Sequence, residues 1–150
     1  MSFCPDTFFI CALYRKQGNS PQAVAYQKTL SVPLPVSTLL LLEFRQSVRF
    51  QIRLFEKDRS KGFSNTEGAA MLRALQSDLA DGILKMVAPD WADVHRIAEE
   101  LSAKHTESGG HRLADILHVA TAVHLGAAQF LTFDPNQKKL AEAEGMGVPL

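Results

Sequence analysis

Apolar residues fall along this chain in short runs broken by glycine, proline and charge, and their spacing predicts strands alternating with helices. Ser2–Cys4 reads as a very short first strand. Phe8–Lys16 follows as a helix, apolar on nearly every side and therefore expected to be buried. Gly18-Asn19 breaks it, and Ser20-Pro21 supplies an N-cap and a helix-starting proline for a surface helix to about Leu30. Val32–Ser37 is a second strand in which Pro33 and Pro35 restrict pairing. Thr38 opens a long helix to about Phe55, and the charged stretch Lys57–Phe63 reads as an exposed loop.

Ser64-x-x-Glu67 has capping-box spacing and starts a helix with Met71, Leu72, Leu75 and Leu79 on one face, stopped by Gly82. Ile83–Ala88 is a weaker third strand. Pro89-Asp90 begins a helix in which Trp91, Val94, Ile97, Ala98 and Leu101 recur at helical spacing, and Ser108-Gly109-Gly110 breaks the chain after it. His111 to about Leu125 is an apolar helix ended by Gly126. Gln129–Phe133 is a fourth strand, Pro135–Glu144 a short helix, and Gly147–Leu150 a fifth strand. Strands alternating with helices through mostly short connections imply a parallel sheet of four to five strands with helices on both faces. The 150 residues fit one domain, and neither a repeat nor a linker divides them.

Charge narrows the possible partners. Lysine plus arginine equals aspartate plus glutamate at 16 each, so bulk attraction to nucleic acid is not available and any basic footprint is local. Cys4 and Cys11 are the only cysteines, too few for a disulfide scaffold and without metal-binding spacing. No apolar run reaches the roughly 18–20 residues of a membrane span, and no basic segment precedes an apolar one at the N-terminus. The expectation is a cytoplasmic protein.

Four acids then stand out. Open parallel sheets build their sites outside the carboxyl ends of the strands, and Asp6 and Asp134 fall at the ends of the first and fourth strands. Glu43 lies in the second turn of the helix leaving the second strand, and Asp115 sits inside the apolar helix before the fourth. Each has a plainer reading. Asp6 and Asp134 are good N-caps, the latter followed by Pro135; Glu43 and Asp115 could occupy a solvated helix face or pair with a cation. Capping leaves a carboxylate oxygen for another ligand, however, and acids that converge stay ionised only around a cation. A set of hard oxygens suits Mg²⁺ or Mn²⁺ rather than zinc. Thr7, Ser37 and Thr132 stand where their hydroxyls could support these acids.

The pattern D-T near the N-terminus, S-T-x-x-x-x-E after the second strand, A-D-x-x-x-x-A-T-A on the late helix and L-T-x-D on the fourth strand resembles the PIN-domain nucleases. The resemblance is closest to the small VapC-like toxins of toxin–antitoxin pairs. It covers essentially the whole chain and is most specific over ADILHVATAVHLGAAQFLTFD. It implies a three-layer α/β/α fold and a Mg²⁺- or Mn²⁺-dependent endoribonuclease. It also implies a homodimer bound by an antitoxin, with Asp6, Glu43, Asp115 and Asp134 as the metal-binding and catalytic carboxylates. Two departures are visible: Phe8 stands where the family usually has Ser or Asn, and only five residues precede Asp6.

Arg15, Lys16, His111 and Arg112 lie nearest the expected site edge and are the candidates for substrate phosphates. Arg45, Arg49 and Arg53 form a stripe whose first member points roughly 200° away from Glu43, which suits solvent or a protein partner better. His118, one turn beyond Asp115, could pair with it on a metal, but no second such pair exists in the sequence. The competing class is a catalytically inactive module of the same fold that binds RNA or protein. A receiver-like phosphoacceptor fits less well, because Pro5, not a second acid, precedes Asp6.

Overall fold

In the computed structural model, which describes every residue from Met1 to Leu150, seven helices alternate with four strands of only three residues each. The order is β1 (Phe3–Pro5), α1 (Thr7–Tyr14), α2 (Ser20–Lys28), β2 (Leu34–Val36), α3 (Thr38–Lys57), α4 (Asn65–Ala80), β3 (Leu84–Met86), α5 (Trp91–Gly109), α6 (Leu113–His124), β4 (Gln129–Leu131) and α7 (Pro135–Ala143). All strand pairing is parallel: β1 with β4, and β2 with β3. The chain resolves into two compact units, Met1–Phe9 with Val87–Leu150, and Ile10–Met86.

The first unit is organised by α5 and α6. Val94, Ile97, Ala98 and Leu101 of α5 share a buried cluster with Ile116, Val119, Ala120 and Ala122 of α6 and with Phe130 of β4. Alanines at these positions let helix backbones approach while leucine and isoleucine fill the space between. Asp90 caps α5 by accepting from the backbone N–H groups of Ala92 and Asp93. His124, in the last turn of α6, holds Asp93 through Nδ1 at 2.7 Å and accepts from the Asp90 N–H through Nε2. The two helices are thus pinned at one end as well as packed along their length. α5 runs on through Ser108 and Gly109 instead of breaking there, because the left-handed position that ends it is Gly110, at φ 67°.

In the second unit, Ser37 and Ser64 cap α3 and α4 through their side-chain oxygens, on Leu40 N and Glu67 N. Leu40, Leu41, Phe44 and Val48 form the buried stripe of α3, and Met71 and Leu75 that of α4. Tyr14 meets the edge of the Phe44 ring at 5.9 Å and donates its hydroxyl to Asp78. β2 begins at Leu34, not Val32, since Pro33 offers no N–H to a ladder.

Two further expectations are corrected. The fifth strand is a single parallel bridge, Gln129 to Gly147, because the tail Gly-Val-Pro-Leu combines a weak strand former with a proline that cannot donate. α1 is not buried all round: Phe8 is 48 % exposed, whereas Phe9 and Ile10 are wholly buried. An eight-residue helix one turn from its cap has one inward face, however apolar its composition.

Gly62 turns the chain back onto α3 at φ 61°, and a Cβ there would stand 2.0 Å from the carbonyl oxygen of Gln51. Gly62→Ala is expected to cost about 3 kcal/mol or more, backbone strain and clash together. Gly82→Ala, also at positive φ but with open space around it, should cost only about 1–2 kcal/mol. Urea unfolding of the two variants checks the difference.

Candidate active site

The parallel pairing of β1 with β4 sets the register Phe3–Gln129, Cys4–Phe130 and Pro5–Leu131, and the next ladder bond runs from Asp6 N to Leu131 O at 3.0 Å. Asp6 and the Thr132–Asp134 segment therefore leave the carboxyl ends of adjacent strands side by side. Residues about 128 positions apart meet because both strands point the same way.

Asp6 is wholly buried and accepts three hydrogen bonds. Its Oδ1 accepts from the backbone N–H of Phe9 at 2.8 Å, capping α1. Its Oδ2 accepts from the Thr132 hydroxyl at 2.5 Å and from Gln137 Nε2 at 2.8 Å. Thr132 Oγ1 in turn accepts from Asp134 N at 3.0 Å, so one hydroxyl ties the two strand ends together. Asp134 is half-buried; its Oδ1 caps α7 by accepting from Asn136 N at 2.9 Å. The stacked rings of Phe9 and Phe133 close over the same strand ends, with centroids 6.0 Å apart.

Burial pushes the Asp6 carboxyl up to about 7, against the opposing pull of the Thr132 and Phe9 hydrogen bonds and of His118; the charge of Asp134 raises it further. His118 is buried on α6 and its Nε2 lies 3.1 Å from the Thr7 hydroxyl. Asp115 occupies the first turn of α6, half-buried and three residues before His118. Residues three apart share a helix face, so the side of α6 carrying Asp115 is the side that reaches Thr7.

Glu43 belongs to the second unit, half-buried in the second turn of α3 beside the fully buried Phe44. Ser37 caps the same helix. Among the phosphate candidates, Arg15 stacks its guanidinium on the Phe63 ring at 4.8 Å, Lys16 and Arg112 are exposed, and His111 is half-buried with Nδ1 lacking a hydrogen-bond partner. Arg49 and Arg53 are exposed and Arg45 half-buried.

No three His, Cys, Asp or Glu side chains stand close enough to enclose an ion. That rules against a dehydrated zinc-type cage, which takes three or four protein ligands. Mg²⁺ keeps several waters and takes one or two carboxylates directly. Asp6, whose carboxylate retains lone-pair capacity beyond its three hydrogen bonds, and Asp134, with Oδ2 to spare, suit that demand in oxygen hardness and charge. Gln137 was not a sequence candidate. Its signal was a polar residue at the i−3 and i−4 positions to the buried Leu140 and Ala141, where an apolar one is expected.

Because the folded-state value of Asp6 lies above its ordinary 3.8, the folded chain holds a proton that the unfolded chain releases earlier. Stability from this group is complete below about pH 4 and is lost as pH rises through about 7, by up to about 4 kcal/mol. Asp6→Asn is expected to flatten that slope in EDTA, since Gln137 can turn its amide and present Oε1 to the new N–H₂. The variant should match the parent near pH 4.5 and exceed it at pH 8 in urea midpoint; a constant gap across this range would refute the assignment.

No curated protein matches the chain. Among solved structures, FitAcB from Neisseria gonorrhoeae is 20 % identical, with 97 % of this chain and 95 % of that one aligned at a TM-score of 0.63. The sarcin-ricin-loop-cleaving toxin VapC20 from Mycobacterium tuberculosis is 18 % identical, with 97 % of each chain aligned at 0.65. VapBC2 from Rickettsia felis, bound to a DNA fragment from its promoter, is 14 % identical, with 99 % and 97 % aligned at 0.63. These likenesses show a common α/β fold. The PIN-domain model matches residues 3–143, from β1 to the end of α7 and across all four acids, and the chain belongs to the PIN-domain family.

Proposed function

We propose that this chain is a metal-dependent endoribonuclease that hydrolyses RNA phosphodiesters, the toxin half of a toxin–antitoxin pair. The observation that carries the reading is the meeting of Asp6 and Asp134 at the ends of β1 and β4, with Asp6 buried so deeply that its charge needs compensation. Membership of a family whose proteins are typically nucleases and generally metal-dependent supports it.

In this reading Asp6 and Asp134 contact Mg²⁺ or Mn²⁺ directly, and Glu43 and Asp115 hold it through the waters it keeps. The ion supplies charge neutralisation at the phosphate and acidifies water, so no nucleophilic side chain is needed. Thr132 keeps Asp6 and Asp134 in register, and Thr7 with His118 braces the Asp115 side of α6. Ser37 starts the helix that carries Glu43. Arg15, Lys16, His111 and Arg112 bind phosphates of the substrate. Single-stranded or looped RNA is the proposed substrate, in keeping with what VapC20 is named for. The proposed partners are an antitoxin and a second copy of the chain, and the proposed compartment is the cytoplasm. No helix of the chain is long and apolar enough to cross a membrane.

Incubated with structured RNA, the protein should cleave in Mn²⁺ and stop in EDTA. Asp115→Asn, Asp134→Asn and Glu43→Gln should each cut the rate by about 100-fold or more, since even outer partners of metal ligands cost 10–100-fold. Gel-resolved cleavage with circular dichroism as a folding control measures this. RNA binding that ignores metal and yields no product would point instead to the inactive module.

A further inference from the structure

Gln137 is 1 % exposed, on the buried stripe of α7 with Leu140 and Ala141. A glutamine there loses stability relative to an apolar residue of similar size unless its amide is used. One half of the amide is: Nε2 donates to Asp6 Oδ2 at 2.8 Å. The other half is not, for Oε1 is buried without a hydrogen-bond partner. An amide oriented purely for packing would have no reason to direct its N–H₂ at the carboxylate and strand its oxygen. With Asp6 ionised, only the donor end can face it; turning the amide over would set oxygen against oxygen.

The other two donors to Asp6 have second duties. Phe9 N is the helix N–H that Asp6 caps, and Thr132 also accepts from Asp134 N. The Gln137 side chain, by contrast, makes no other hydrogen bond. It also arrives from α7, whereas Phe9 belongs to α1 and Thr132 follows β4. Three donors from three segments leave the carboxylate plane no freedom to turn.

We propose that Gln137 is a positioning residue for the divalent cation: its Nε2–H fixes the rotation of the Asp6 carboxylate so that the remaining lone pairs face the ion. This rests on the reading of Asp6 as a metal ligand. Partners of this outer kind set ligand orientation, and losing one typically weakens metal binding by about 10–100-fold.

The test is titration of the full-length protein with Mn²⁺ alone, reading free ion by electron paramagnetic resonance, for the parent, Gln137→Met and Asp6→Asn. Methionine keeps the volume and removes both the donor and the unpartnered oxygen. Gln137→Met is expected to bind Mn²⁺ about 10-fold or more weakly, while its melting temperature in EDTA equals or exceeds the parent's. A purely space-filling glutamine gives unchanged affinity in that variant, and this outcome overturns the positioning role alone. Unfolding of Gln137→Met likewise overturns it, since the side chain would then be structural. A parent that takes up no Mn²⁺, or an Asp6→Asn variant that binds as well as the parent, overturns the ligand reading and the proposal together.

Discussion

A carboxylate without solvent access governs the architecture of the first unit. Asp6 follows β1 directly, and its backbone N–H continues the ladder to Leu131 while its side chain takes hydrogen bonds from α1, from the end of β4 and from α7. A buried charge of this kind is tolerable only when its lone pairs are occupied. Strand pairing, two helix starts and the threonine at the end of β4 are all arranged around that requirement. The strands are three residues long, too short to be held by ladder hydrogen bonds alone. Helix packing around Phe130 and the polar knot at Asp6 hold β1 and β4 in register.

The same knot explains how stability and chemistry trade against each other. Burial raises the Asp6 carboxyl toward neutrality, and the neighbouring Asp134 raises it further, so its ionised form is under electrostatic tension. Thr132, Phe9 and His118 relieve part of it. A cation held beside the carboxylate would relieve the rest. The groups that donate to Asp6, the Thr132 hydroxyl, the Phe9 backbone N–H and the Gln137 amide, are all uncharged. Arg96, by contrast, is spent on exposed pairs with Asp93 and Glu100.

Within the candidate site, legibility followed the range of the interactions. Asp6, Thr132 and Asp134 were readable because each sits in a local signal, a strand end followed by a helix start. Gln137 and the Thr7–His118 contact were not, since their partners are 131 and 111 residues away. No local preference distinguishes a buried glutamine that holds a carboxylate from one that lies on the surface. The fifth strand failed for a related reason: four residues with acceptable strand character reduced to one bridge once pairing partners and Pro149 were counted.

From the sequence by itself came the alternation of elements, the caps at Asp6, Ser64 and Asp134, the helix start at Asp90, the glycine stops, and the family pattern. These depend on neighbours within about a turn or two, where the chain's own dihedral preferences and capping hydrogen bonds decide. Tertiary structure alone decided which face of α1 is buried, that the strands pair as β1 with β4 and β2 with β3, and which side chains surround Asp6. Those outcomes depend on burial and on hydrogen bonds closed between segments far apart in the chain, from 50 residues for β2 with β3 to 131 for Gln137 with Asp6. Their free energy exists only when the whole fold is present, so no stretch of the chain encodes them separately.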